Sequence, residues 1–464
     1  MAGTGKCKNR HNGALVVLLL FILGLTCLAL PEAAESRVSN GAWVAPEWAR
    51  RYIVPETGGF GATATAVDGQ GNVYVTGESY TTIKYRADGE TVWVRRYNGP
   101  VNSYAAATAL AMDHQGNVYV TGFSKDSGTD FDYVTIKYSP DGEELWVQRY
   151  NGPANGEDLP WAIAVDGQGN VLVTGYSETL YNTWGDNVTI KYNPEGQQLW
   201  LRRIEEVVSF NASLAVDGQG NVYVTGTLES DWCYFTVKYD PDGQRLWQRR
   251  YLGPYNGGSF AYAMALDAQG NVYVTGYSDR WDIGVGFATI KYSADGRQLW
   301  VRHYYGPGNS AGGTALAVDG RGNVYVTGVS ERFQDDLYRG ADYATIKYST
   351  DGLRLWVRHY NGPGDGRDEP KAIALDAQGN VYVTGFSEGA GTGSDYATIK
   401  YSPDGKRLWV SRYTGHNTGW YGWDSPYAMA VDARGNVVVT GASAKKGAEP
   451  GFDYFAIKYT QTPP

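Results

Sequence analysis

Residues 415–425 read GHNTGWYGWDS, and few stretches of this chain bring so many chemically useful side chains together. Trp420, Tyr421 and Trp423 offer flat ring faces beside His416, Asn417 and Asp424, a combination suited to stacking on sugar rings or anchoring a partner protein. Single aromatics in polar settings recur at Trp184 in LYNTWGDN, Trp232 in ESDWCYF and Trp281 in SDRWDIG. Their plainer role is packing over the elements beneath them. For catalysis the chain offers less. A nucleophile needs a base and an orienting acid beside it, and His416 with Asp424 and Ser425 is the best such set. The other histidines are His11 near the amino end, His114 in a turn, and His303 and His359 at a repeated position where other copies carry Arg. Asp335 with Asp336, and Asp365 with Asp368, have the spacing of carboxylates that serve glycoside hydrolysis or calcium binding. Solvated loop acids look the same. No cofactor and no metal are expected.

The elements that position these residues are written in a repeat. From Asp68 onward AVDGQGNVYVTG, a variable stretch, ATIKY, a Gly turn and LWVRRY recur. The first Asp of each copy falls at Asp68, Asp113, Asp166, Asp217, Asp267, Asp319, Asp376 and Asp432. Two spacings are fixed: nine residues from that Asp to the Gly of VTG in all eight copies, and nine from the Lys of IKY to the next Trp in the seven copies that have one. Each fixed piece reads as strand, Gly-containing turn, strand, which is a β-hairpin. Tight links force neighbouring strands antiparallel, so each copy is four antiparallel strands. No stretch outside the amino-terminal apolar run has the length and 3.6-residue period of crossover helices, which excludes a β/α barrel. The expected fold is therefore all-β, an eight-bladed β-propeller of four-stranded antiparallel blades. Alanine two and four places before each Asp, with Ser213 the one exception, gives the first strand a small face for crowded packing near the axis.

The last copy stops after FDYFAIKYTQTPP without a fourth strand, whereas Trp48, Arg50, Arg51, Tyr52 and Pro55 match Trp93, Arg95, Arg96, Tyr97 and Pro100. Residues 46–53 are therefore expected to supply the outer strand of the eighth blade and close the ring. One domain, 35–464, follows a segment 1–34 in which Lys6, Lys8 and Arg10 precede an apolar run from Ala14 to Leu30 and then Ala33 and Ala34. That order predicts a secretory signal, with retention as an amino-terminal anchor the alternative. Its removal takes away three positive charges and Glu32, moving the formal charge from −9 to −11. An acidic exported body is a poor nucleic-acid binder, so none is expected. Cys233 is then the single cysteine, at the start of a strand, where a buried small residue is the natural reading.

The string DGQGNVYVTGYS with a following DYATIKY resembles the SBBP repeat family of exported bacterial and archaeal propellers. The likeness spans nearly the whole chain after residue 34, although that family is usually described as seven-bladed. Gly-x-x-x-Trp, as in Gly89 to Trp93 and Gly142 to Trp146, is similar to the tryptophan-docking spacing of eight-bladed quinoprotein propellers. The resemblance implies tryptophans wedged between blades. It carries over no chemistry, since an adjacent cysteine pair and a recognisable quinone and calcium site are missing.

Antiparallel blades give such a molecule two unlike faces. Fixed turns lie on one; the connections from second to third and fourth to first strands lie on the other, and only these vary. Binding usually resides on such loops. Trp161, Tyr262, Lys371 and Tyr427 share one position near the start of first strands, an expected ring at the channel mouth. With Trp184, Trp281, His416, Trp420, Tyr421 and Trp423 they form the candidate ligand-binding set. The expected function is a non-enzymatic binding or scaffolding module at the cell surface, monomeric, with an unknown protein or carbohydrate ligand. A polysaccharide hydrolase or lyase using the same face is the alternative.

Overall fold

The computed structural model describes residues 44–54, 61–180, 185–205, 207–228, 230–334, 337–415, 423–445 and 451–460. Eight four-stranded antiparallel sheets form a ring. Blade 1 spans residues 62–96, blade 2 105–150, blade 3 158–204, blade 4 207–251, blade 5 259–304, blade 6 311–360 and blade 7 368–413. In each of these seven the strands lie side by side in chain order. Blade 8 takes Asp424–Val431, Val437–Ala444 and Phe452–Tyr459 from the carboxyl end and Trp48–Tyr52 from the amino end. The last pair is antiparallel, in the register Trp48↔Lys458 to Tyr52↔Tyr454. The expected ring closure is thus observed, over a segment slightly shorter than 46–53.

The repeated Asp explains the first hairpin. Asp68 Oδ1 accepts the backbone N–H groups of Gln70 and Asn72, each at 2.9 Å, and its Oδ2 accepts the Asn72 amide at 2.8 Å and the Tyr74 hydroxyl at 3.2 Å. A carboxylate that takes four hydrogen bonds fixes the turn that it opens. Gly71 follows with φ +85°, a conformation that costs Gly nothing.

Between blades, among the described residues, the Trp and the Lys converge on one carbonyl in seven of the eight blades. Trp93 Nε1 donates to Pro140 O of blade 2 at 3.1 Å, and Lys84 Nζ donates to the same oxygen at 2.8 Å. Trp146 with Lys137, Trp200 with Lys191, Trp247 with Lys238, Trp300 with Lys291 and Trp356 with Lys347 repeat this on Pro194, Pro241, Ala294, Thr350 and Pro403. Trp48 and Lys458 do so on Ala87 of blade 1 at 2.9 and 2.7 Å, which closes the circle. Each lysine stem runs over a tyrosine where one is present; Lys84 Nζ lies 5.2 Å from the Tyr74 ring. Blade 3 has Leu172 at that position, and there Lys191 pairs directly with Asp166 at 3.1 Å, both fully buried.

The small face of the first strands is half-buried rather than buried. Each first strand is an edge strand facing the axis, so no further strand covers it. All eight first strands also shift register about four or five residues before the Asp.

Candidate functional site

In seven blades the register shift places one extra residue five positions before the Asp, and Trp161, Tyr262, Lys371 and Tyr427 are four of these bulged residues. Bulges re-aim a side chain. Where the bulged residue is Thr it ties blades together: Thr63 Oγ1 donates to Ala107 O at 2.8 Å, Thr108 to Pro160 O at 2.7 Å and Thr314 to Pro370 O at 3.0 Å. The bulky four replace that tie with rings or charge. Tyr262 lies 5.7 Å from the Tyr277 ring. Lys371 pairs with Glu369 and sits 5.5 Å over Phe386. Trp161 carries a buried indole N–H with no protein partner, and Tyr427 is 38% exposed.

The remaining candidates divide. Trp184, His416, Trp420 and Tyr421 lie outside the described residues. Trp423 is exposed, joins blade 7 through a parallel bridge to Ser394 and meets Phe452 edge-on at 6.3 Å. Trp281 is 77% exposed at the tip of the blade 5 hairpin between Val272–Arg280 and Gly284–Tyr292. Trp232, on the connection of blade 4, lies 5.1 Å from Phe260 of blade 5. Loop aromatics from neighbouring blades therefore meet on one face, as the strand order requires.

Two of the acids proposed for chemistry, Asp424 and Asp368, hold backbone instead. Asp424 is buried and accepts Gly415 N–H and the Ser443 hydroxyl, both at 2.6 Å. Asp368 is buried and accepts Gly362 N–H at 2.6 Å and Glu388 N–H at 3.1 Å. Asp365 is exposed and bonded to Arg332 and Asn361, at 2.7 and 2.6 Å. Asp335 and Asp336 lie outside the described residues. Asp158 occupies the place in blade 3 that Asp368 and Asp424 hold in blades 7 and 8, accepting Gly152 N–H at 2.5 Å; burial pushes its carboxyl up to about 6, against the pull of Ser177 and Gly152. His303 and His359 do occupy the Arg position. Each bonds a tyrosine of the preceding blade at 2.7 Å, Tyr251 and Tyr304 respectively, and burial lowers the affinity of both for a proton. At the same position Arg149, Arg203 and Arg412 reach Tyr97, Tyr150 and Tyr360, and each adds a carboxylate of its own blade, Asp132, Asp186 or Asp395. Cys233 is buried, with its thiol pushed up to about 11 by burial.

Two features escaped the sequence reading. Glu331, Tyr338, Arg339, Arg367 and Glu388 line a cleft of about 560 Å³ between blades 6 and 7. The long blade 6 hairpin, Val324–Gln334 and Leu337–Tyr348, forms one wall. Its seventeen-residue connection was the signal available. Tyr104, Phe123 and Phe131 also cluster between blades 1 and 2, with Lys125 4.7 Å over Phe131. Among the described residues no three His, Cys, Asp or Glu side chains converge as a metal site, and no helix is long and apolar enough to cross a membrane.

A family model of the SBBP β-propeller repeat matches residues 249–280. No curated protein matches the chain. Among solved structures, the crystal structure of the C-terminal WD40 domain of Sif2 superposes with a TM-score of 0.54 at 10% identity, covering 87% of this chain and 97% of that one. At that identity the likeness is one of fold alone. The matched repeat runs from Arg249 through the blade 5 DAQGNVYVTG motif to Arg280, and the same motif recurs in all eight blades of the ring: the chain is an eight-bladed β-propeller, one of whose repeats matches the SBBP model.

Proposed function

We propose that this protein is an exported, non-enzymatic propeller that binds a ligand or partner through the face carrying its variable connections. A β-propeller of repeats supports a binding or scaffolding role in general. The finer reading is carried by one observation: Trp232, Tyr255, Trp281 and Trp423 stand exposed on the variable connections of a ring whose middle strands are almost wholly buried. Rigid sheet beneath and displayed rings above is the arrangement of a preorganised binding surface. Export is supported by the basic-then-apolar order of residues 1–34. The tryptophans donating into the next blade support a docking role like that of the quinoprotein wedges, in structure and not in chemistry. Fractionation with amino-terminal sequencing checks export. Capture of ligands by the purified protein, repeated with Trp281→Ala and Trp423→Ala, checks the face: binding that survives both changes refutes it.

The cleft between blades 6 and 7 favours a second reading, a hydrolase or lyase of polysaccharide, because Glu331 and Glu388 both line it. Product release from a polysaccharide, abolished by Glu388→Gln or Glu331→Gln, would establish that reading and displace the first.

A further inference from the structure

Two aromatics on the connections of blade 4, beside blade 5, sit on backbone that bulky residues rarely adopt. Trp232 has φ 46°, Tyr255 φ 58° and Asn256 φ 58°. Such conformations persist only where the surroundings hold them, and they gather at ligand clamps. The hold is visible: Ser259 N–H donates to Trp232 O at 2.6 Å, Asp279 N–H to Gly258 O at 2.7 Å and Gly257 N–H to Pro254 O at 3.1 Å. Beside this strained backbone the rings stand outward. Tyr255 is 64% exposed and Trp281 77%. The two meet edge to face, centroids 5.8 Å apart at 67°. Arg280 lies 5.6 Å over Tyr255 and is locked by two bonds to Asp282, at 2.7 and 3.0 Å. From Trp232 a ladder of rings runs inward, through Phe260 stacked on Tyr277 at 4.7 Å to Tyr262 at the bulge.

We infer that blade 5 carries a site for a neutral oligosaccharide, in which Trp281 and Tyr255 form the stacking platform and the Arg280–Asp282 pair reads hydroxyl groups at its edge. A pyranose offers one face of C–H groups, which packs on a ring, and an equator of hydroxyls, which both donate and accept. Carboxylate and guanidinium side by side supply both partners in a fixed plane. A protein partner would be met by aliphatic surface. Among the described residues of the connections bordering this site, Leu252 is the one large aliphatic side chain that is exposed. The Arg280–Asp282 pair adds no net charge and the chain carries −9, so a polyanionic glycan is disfavoured. This site rests on the loop-face reading above and specifies its ligand.

The test is calorimetric titration of the purified full-length protein with the hexaoses of cellulose, xylan, mannan, starch, chitin and laminarin. At least one is expected to bind. Trp281→Ala and Tyr255→Ala should each weaken that binding tenfold or more, Trp281→Phe should retain most of it, and Leu353→Ala, at an exposed position in a fixed turn of blade 6, should leave it unchanged. Near-ultraviolet circular dichroism and the unfolding midpoint confirm that each variant keeps its fold. Failure of all six sugars overturns the inference, and so does binding indifferent to Trp281→Ala. Binding lost with Trp423→Ala and kept with Trp281→Ala overturns it while leaving the loop-face reading intact.

Discussion

Burial shifts Asp158 and the histidine pair His303 and His359 with opposite consequences for stability. An ordinary carboxyl in the unfolded chain titrates near 4, whereas burial brings Asp158 in the fold up to about 6. Below the unfolded value both states hold the proton and there is no penalty; above 6 both are ionised, and the fold carries a cost of about 3 kcal/mol at roughly 1.4 per unit. Stability from this residue is therefore lost as pH rises from 4 to 6. For His303 burial, then the charge of Arg280, lowers the proton affinity; for His359 burial does so alone. Both are favoured neutral in the fold, so their contribution is present above the ordinary imidazole value and lost as pH falls below it. Urea unfolding between pH 4 and pH 7 separates the two. Relative to the parent, Asp158→Asn should gain up to about 3 kcal/mol across that range, and His303→Gln with His359→Gln should flatten the loss below about pH 6.5. An offset independent of pH in either variant refutes the titration assigned to it.

The hairpin between third and fourth strands is the element through which neighbouring blades recognise each other. Gly142 has φ +81°, and a Cβ there would stand 2.8 Å from the Trp93 ring. Gly116, in the other fixed turn, has nearly the same φ, +82°, but its Cβ would meet Pro140 at an ordinary 3.5 Å. Gly116→Ala should therefore cost only the backbone share, about 1–2 kcal/mol, and Gly142→Ala clearly more. Trp93→Ala should cost about 3–5 kcal/mol. In that background Gly142→Ala should fall back to the cost of Gly116→Ala, because the clash has lost its partner. Additive costs in this double-mutant cycle, measured by urea unfolding, would mean that Trp93 does not set the turn's preference for glycine.

For the whole molecule, ring closure is the decisive interaction. Trp48 is buried among Val73, Val75, Ile83 and Tyr85 of blade 1 while its strand pairs with Phe452–Tyr459 of blade 8. One five-residue strand thus joins the two ends. A shortened chain beginning at Phe60 loses that ladder and the tryptophan, about 5 kcal/mol or more, and bares the edge of Phe452–Tyr459 to pairing with another copy. Its unfolding midpoint should drop and its apparent size on gel filtration should rise; melting identical to the parent would contradict closure by this strand.

Much of this architecture is local in origin and so was written in the sequence. Asp68 and its seven equivalents, with their Gly and Asn, dictate hairpins through contacts within seven residues, and eight copies with a displaced fourth strand leave little choice but a closed ring. Chemistry at the site was less legible. Trp281, Trp232 and Tyr262 stood out by residue type, yet Tyr255 in YLGPYNGG and the Arg280–Asp282 pair did not, because their meaning lies in contacts across the hairpin and the preceding connection. Asp368 and Asp424 resembled reactive acids until the fold showed each one holding a loop by its backbone N–H. Short-range hydrogen bonding fixes turns and strand order from adjacent residues alone. Which loop side chains face one another depends on how blades stack, and only the assembled ring decides that.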